Sequence, residues 1–322
     1  MSWRSLLVAA ATLAVLAISV VALRHLLADT QWSAVMTAVR ALPTAALAGA
    51  AMLAVLSYGI LTGFDVVALR LVGRPVPYAS VALAAFTSYI FSHNLGFAAL
   101  TGGAARYRIY RRHGVPLADV GQIMIVAGVT FWLGAVLLLG LSLVLLPSLP
   151  PVAHRAISPG FQTAAGLCLL ALLAAYMVAL GRLGGRAIRL WRWPLRLPTW
   201  RMAIVQFALG TGDLLVAASV VFVLLPQPAI MLYPAVLVGY LFAIVTSLLV
   251  HAPGGLGVFE VVMIAALPQV DRPGLVAALL AFRLIYYLIP LAIGGLLFVG
   301  HELVGLRRPC VDDGVRSFDD HP

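Results

Sequence analysis

Apolar residues along this chain run in long blocks. They neither alternate, as in a half-buried strand, nor recur on one stripe, as in a surface helix. Six blocks, at 5–24, 43–70, 117–147, 160–181, 201–225 and 273–301, approach or exceed the roughly 20 residues that carry a helix across a bilayer. Two further stretches, 78–112 and 229–268, are too long for one helix and are broken midway by glycines. The first break reads Ser92-His93-Asn94-Leu95-Gly96 and then Thr101-Gly102-Gly103-Ala104-Ala105-Arg106. The second reads His251-Ala252-Pro253-Gly254-Gly255-Leu256-Gly257-Val258-Phe259-Glu260. Backbone that breaks at membrane depth survives only where protein or a water-filled cavity satisfies its free N–H and C=O groups. Such breaks in both halves of a membrane protein point to a transport site.

The pattern predicts an all-α, polytopic membrane protein with about six full spans and two broken re-entrant helical hairpins. Loop charge decides how the broken stretches run. If both enter and leave on one side, Arg70, Arg74, Arg106, Arg108, Arg111, Arg112, the arginines from Arg182 to Arg201, and Arg307, Arg308 and Arg316 all face the cytoplasm. Only Arg24, Arg40, Arg155 and Arg272 then face out. A full span at 78–104 would instead put the Arg106–Arg112 cluster outside, against the positive-inside bias. The hairpin topology makes residues 1–150 and 158–305 an inverted repeat of span, span, hairpin, span, with both termini cytoplasmic. Residues 1–308 form a single integral membrane domain, and 309–322 read as a disordered, acidic cytoplasmic tail. The first block reads as a retained helix rather than a cleaved signal peptide.

Composition agrees: 63% of residues are hydrophobic and 10% charged, with a mean hydropathy of +1.06. The net charge of +10 does not point to nucleic acid, because the basic residues, all of them arginine, sit in short loops between apolar runs. They read as orientation signals and as contacts for anionic lipid headgroups. In the loop 182–201, Arg182, Arg186, Arg189, Arg192 and Arg196 recur with Trp191, Trp193 and Trp200, while Pro194 and Pro198 prevent one continuous helix; a broken basic belt at the headgroups is expected. From Thr30 to Leu42, Trp32, Val35, Met36, Val39 and Leu42 share a helical face, which suits a short interfacial helix capped by Thr30. Cys168 and Cys310 have no metal-ligand spacing and are not expected to pair. No metal or cofactor is called for, and a homodimer is compatible with the chain.

Asp65, Asp213, Glu260 and Arg283 lie within or at the ends of apolar segments. Each costs roughly 2.5–3.5 kcal/mol at a helix centre, so four unpaired charges would cost on the order of 10 kcal/mol. They should face a polar interior and find partners, with Arg106 and Arg283 the natural ones for the acids. The pairs either glue helices together or serve a substrate or coupling ion. Asp65 and Asp213 each sit in the second span of their repeat, ahead of its hairpin. Gly254 and Gly255 permit positive φ and bare backbone beside a ligand, and the helix start after them suits a phosphate or the carboxylate of Glu260. Gly102 and Gly103 lead into Arg106, a candidate phosphodiester clamp. His93 and Asn94 stand beside the first break, as backbone partners or as ligands. Arg283, Tyr286 and Tyr287 share a face, and Pro290 should kink the last span.

These residues resemble the transmembrane region of the lysylphosphatidylglycerol synthase/flippase family, also called multiple peptide resistance factors. The resemblance lies in Gly63-Phe64-Asp65, Ser92-His93-Asn94 through Arg106-Tyr107-Arg108, the run from Pro253 to Glu260, and Arg283-Leu284-Ile285-Tyr286. It implies a membrane domain that moves aminoacylated phosphatidylglycerol to the outer leaflet of the bacterial inner membrane and protects against cationic peptides. Asp65, Arg106 and Asp213 look like that family's acidic and arginine positions, although the family often has Glu where this chain has Asp213. Two-domain members carry a soluble synthase after the membrane region, whereas only 302–322 follow the last block here. The expectation is a stand-alone membrane member, a transporter and not an enzyme. The alternative is the membrane partner, or the membrane-embedded part, of a lipid-modifying system such as a lipid aminoacyl transferase. His301-Glu302 lacks the second histidine of a zinc-protease helix, and Asp312-Asp313-Gly314 only superficially resembles a headgroup-transferase motif. A scaffold is the third reading.

Overall fold

The computed structural model describes residues 32–95, 98–146, 158–190, 193–250 and 253–306. The first apolar block, Thr30, Gly96, His251 and the acidic tail lie outside the described residues. The chain is helical throughout this range apart from one short β-hairpin. Six helical segments are long and apolar enough to cross a membrane, namely Thr44–Val72, Leu117–Leu145, Pro159–Leu183, Trp200–Val223, Ile230–Val250 and Arg272–Leu303. Five of these coincide with expected spans. The sixth is the first arm of the second broken stretch, which is longer and more apolar than an expected half-helix.

Helix α1 (Trp32–Arg40) is short, and of its expected apolar face only Val35 is fully buried, against α10; Trp32 and Met36 stay exposed. The long helix α2 (Thr44–Val72) starts after Pro43 and stops at Gly73, whose left-handed φ of 77° lets its N–H close on the carbonyl of Leu69. A helical hairpin follows, α3 (Tyr78–Leu95) and α4 (Ala98–Arg111), then α5 (Leu117–Leu145) and α6 (Pro159–Leu183). Ser158 caps α6 and Thr199 caps α7 (Trp200–Val223), each hydroxyl accepting a backbone N–H of the first turn. The second broken stretch gives α8 (Tyr233–Val250), a single turn at Pro253–Gly255, and α9 (Val258–Ala266). The last span is α10 (Arg272–Arg283), a π-helical turn over Leu284–Leu288, and α11 (Ile289–Leu306).

Loop 182–201 forms no continuous helix, and its form was not specified by the spacing. Ala187–Leu190 (β1) and Trp193–Arg196 (β2) pair antiparallel, with Arg189 opposite Pro194. A two-stranded edge tolerates a proline that a helix interior does not. The prolines thus exclude one helix, as expected, but what replaces it is a ladder.

Glycines set the helix spacing around α5. A Cβ on Gly134 would collide with the backbone of Gly210 in α7, and one on Gly166 in α6 would meet the carbonyl of Gly140. Close backbone approach of this kind is how helices associate where no hydrophobic force drives them together. Beside the first contact, Gln206 donates from Nε2 to the Thr130 hydroxyl at 2.9 Å. The α6 helix touches the bundle mainly through α5 and leaves Leu167, Leu172 and Val178 exposed to what would be lipid.

Both broken stretches fold back on themselves. At the open end of the first hairpin, His113 and Ser80 are hydrogen-bonded at 2.9 Å, and Arg74 at the end of α2 pairs with Asp119 at the start of α5. At about 1.5 Å per residue, α3 and α4 are about 27 and 21 Å long against about 43 Å for α2, so the hairpin stops short of the far end of its neighbour. In the second hairpin α9 returns along α8, placing Ala266 against Gly239 and Gly255 against Ser247. Its open end lies where Gly274, at the start of α10, meets Pro226, just past α7. The first hairpin opens at the other end of the last span, where Arg108 and Arg112 pair with Glu302.

Candidate functional site

The two hairpin tips meet inside the bundle. The backbone carbonyls of His93 and Asn94, at the end of α3, face Gly254 in the second break. Gly254, Gly255 and Gly257 have φ of 62°, 62° and 79°, as expected for a turn that only glycine adopts without strain. The buried charges gather around this junction in three groups.

The first group is closed. Arg106, only 4% exposed, donates from Nε and Nη2 to the two carboxylate oxygens of the fully buried Asp65 at 2.9 and 2.8 Å. Nη1 donates to the Ser88 hydroxyl, and the Tyr110 hydroxyl donates to Asp65 at 2.7 Å. The guanidinium also lies 4.7 Å from the centroid of the Tyr89 ring. Such a fork-on-fork pair is the strong form of a charge-assisted hydrogen bond. It ties α2 to both arms of the first hairpin, so Arg106 could take a phosphate only if the Asp65 pair opened. Gly102 and Gly103 are not at the break. They sit inside α4, where an added Cβ would strike Ser88 and Ser92 on one side and Met124 on the other. Their absent side chains allow close helix packing rather than access to backbone.

The second group fastens the second break. Arg283 bonds to Glu260 through Nε and donates to the carbonyls of Gly254 and Gly255 at 2.9 and 3.2 Å. The other oxygen of Glu260 accepts the N–H of Gly257 at 2.8 Å. The free groups that a broken helix exposes are therefore met by one ion pair, and the start of α9 is filled by a carboxylate of the chain itself. Both side chains remain 14% exposed and face a recess of about 190 Å³ lined also by Trp32, Leu256 and Leu280.

The third group holds Asp213. This carboxyl is buried and accepts a hydrogen bond from Ser57, whose oxygen lies 2.7 Å from the Tyr286 hydroxyl. Among the described residues it makes no ion pair. The last span is opened beside it. Pro290 has no N–H for the carbonyl of Tyr286, and the Tyr58 hydroxyl donates to that carbonyl instead, at 2.9 Å. Ile289 bonds to Leu284 in the wide π register, a distortion common at functional sites. Aromatic rings join the groups: Tyr89, His93 and Tyr287 stand in series at about 6 Å spacing, with Arg106 over the first and Arg283 over the last.

The ion pairs expected for Arg106 and Arg283 form with Asp65 and Glu260. Ser57, Ser88, Tyr58 and Tyr110 were not anticipated; only Tyr110 carried a signal, one helical turn beyond Arg106. Next to the third group an apolar slot of about 500 Å³ opens between α2, α3 and α11, walled by Tyr58, Phe86, Ile289 and Ile293.

Residues 9–294 match the family described as the lysylphosphatidylglycerol synthase TM region. The chain is 31% identical over 279 residues to the uncharacterized protein slr0712 of Synechocystis, covering 86% of each. It is 32% identical over 267 residues to the inner membrane protein YbhN of Escherichia coli, covering 81% of each. The sequence resemblance is thereby borne out, and this multi-pass membrane protein belongs to the lysylphosphatidylglycerol synthase TM-region family.

Proposed function

We propose that the protein is a lipid translocator of the bacterial inner membrane, a transporter and not an enzyme, that passes a phospholipid headgroup between the two hairpin tips while its tails stay in the bilayer. The observation that carries this reading is a buried carboxyl, Asp213, whose partner among the described residues is the Ser57 hydroxyl and not a cation, set beside an apolar slot. A cationic headgroup, such as that of aminoacylated phosphatidylglycerol, complements such a carboxyl, and the slot complements the hydrocarbon. In this reading the hairpins are re-entrant, the two halves form an inverted repeat, the arginine-rich end faces cytoplasmic anionic headgroups, and the Arg106–Asp65 and Arg283–Glu260 pairs are the latches that open during passage.

The test is leaflet-resolved quenching of fluorescent phosphatidylglycerol and its lysyl ester in proteoliposomes. Wild type should speed the crossing of the lysyl lipid, and Asp213→Asn should lose most of that gain while remaining folded. Equal crossing in wild-type and empty liposomes sinks the proposal. A chemically altered lipid produced by the purified protein would favour a lipid-modifying role instead.

A further inference from the structure

Two cavities on the α2–α3 face adjoin, and their chemistry differs sharply. The apolar slot follows α2 from Ala51 to Thr62. A second recess of about 270 Å³ continues from Val66 to Arg74 and is lined by Arg70, Arg74 and Tyr78. Their shared boundary is the pair of hydroxyls on Thr62 and Tyr78, 3.3 Å apart. Hydrocarbon walls lead into a recess bearing two guanidinium groups. Arg70 makes no ion pair among the described residues, and Arg74 makes only a half-exposed one with Asp119.

We infer that this face is a binding site for one anionic phospholipid, with its phosphate on Arg70 and Arg74 and an acyl chain in the slot. The shape of the slot separates a chain from a helix. Eleven residue steps of α2 are about 17 Å, so about 500 Å³ gives a mean section of about 30 Å². Even with a water radius of about 1.4 Å added all round, that stays below the roughly 80–110 Å² of a helix 10–12 Å across. Residues 1–31 join at Trp32, which stands on the other recess, beside Glu260 and Arg283. The head end is basic and the tail end apolar, which an amphiphile of negative charge matches at both ends. Because an aminoacylated phosphatidylglycerol keeps the same phosphate, the site deepens the translocator reading as the place where that phosphate is held at the arginine-rich end, and rests on that reading for this role but not for binding itself.

Gly59 lines the slot, and a Cβ placed there meets nothing within 4 Å, so a side chain can start from this position into the slot. Gly49, on the same helix outside the slot, is equally open and is the control. Purified wild type, Gly59→Trp, Gly49→Leu and Arg70→Gln would be delipidated in detergent, re-exposed to equal phosphatidylglycerol and phosphatidylethanolamine, and weighed by native mass spectrometry. Wild type and Gly49→Leu should retain phosphatidylglycerol in preference. Gly59→Trp should lose retention of both lipids, and Arg70→Gln should lose the preference for the anionic one. Equal retention by Gly59→Trp, no headgroup preference in wild type, or crosslinks from the slot walls to a second copy or to residues 1–31 would each overturn the site. Translocation measured on the same proteins keeps the readings apart: binding without transport in wild type removes the translocator and leaves the site.

Discussion

Asp65 and Asp213 hold comparable places in α2 and α7 yet keep different company. Asp65 accepts from a guanidinium and a tyrosine, whereas Asp213 has Ser57 and, through it, Tyr286. Removing one partner of a buried pair leaves an uncompensated charge and typically costs 3–5 kcal/mol, whereas replacing both by apolar groups is often neutral. Arg106→Leu should therefore lower stability by about 3–5 kcal/mol, and Asp65→Leu combined with Arg106→Leu should recover most of that loss, as read from thermal unfolding in detergent. Asp213→Asn should leave the unfolding midpoint near wild type, because no cation is left behind. The high cost of charge in apolar runs made both pairs legible in the sequence. The same cost says nothing of which neutral side chains complete these buried charges, since Ser88 beside Arg106 and Ser57 beside Asp213 look like any serine in a span.

At the scale of elements, the last span shows how a helix survives being opened. Proline removes one donor, and a tyrosine hydroxyl from α2 supplies another at the Tyr286 carbonyl. Tyr58→Phe should cost about 1 kcal/mol, and distinctly less in a Pro290→Ala background, where residue 290 regains an N–H. A double-mutant cycle reading equal losses in both backgrounds would refute the substitution of donors. Gly255→Ala should destabilise by about 1–2 kcal/mol, since its left-handed φ penalises a Cβ, and Ser247 also stands in the way. Pro290 made the missing donor at the Tyr286 carbonyl foreseeable. The π turn ahead of it was not, because no residue type in Leu284–Leu288 signals that register. Gly102 and Gly103 misled for a related reason: a glycine that ends a helix and one that admits a neighbouring helix look alike until the neighbour is known. In the basic loop, the prolines excluded one continuous helix, and the ladder between 187 and 196 forms because they are compatible with it.

For the whole molecule, loop charge alone implied that the first stretch turns back, and the open ends of the two hairpins do lie at opposite ends of the last span, near Glu302 and near Gly274. Hydropathy alone could not separate α8 from a full span, because its residues are as apolar as those of the crossing helices. Single cysteines replacing Arg111 and Arg272 should react with a membrane-impermeant thiol probe from opposite faces of sealed vesicles. Labelling of both from one face would contradict the topology. Spacing is the other global property. Gly134→Leu should abolish folded protein on size-exclusion chromatography, because it wedges α5 from α7 where backbones touch, whereas Gly49→Leu should elute like wild type.

The bare Cα of Gly254 beneath the carbonyls of His93 and Asn94 has a mechanical consequence. Among the described residues, backbone and not a side chain of the first hairpin faces that Cα, so in the proposed translocator it can act as a fulcrum: tilting one half against the other would widen one mouth and narrow the opposite one without unthreading a helix. A methyl group added at Gly254 would reach only ordinary contact, 3.7–3.8 Å, with those carbonyls, and its penalty would come from the left-handed φ of 62°; in the proposed translocator its signature would be a stiffened turn, with lipid still held but slowly released on the far side.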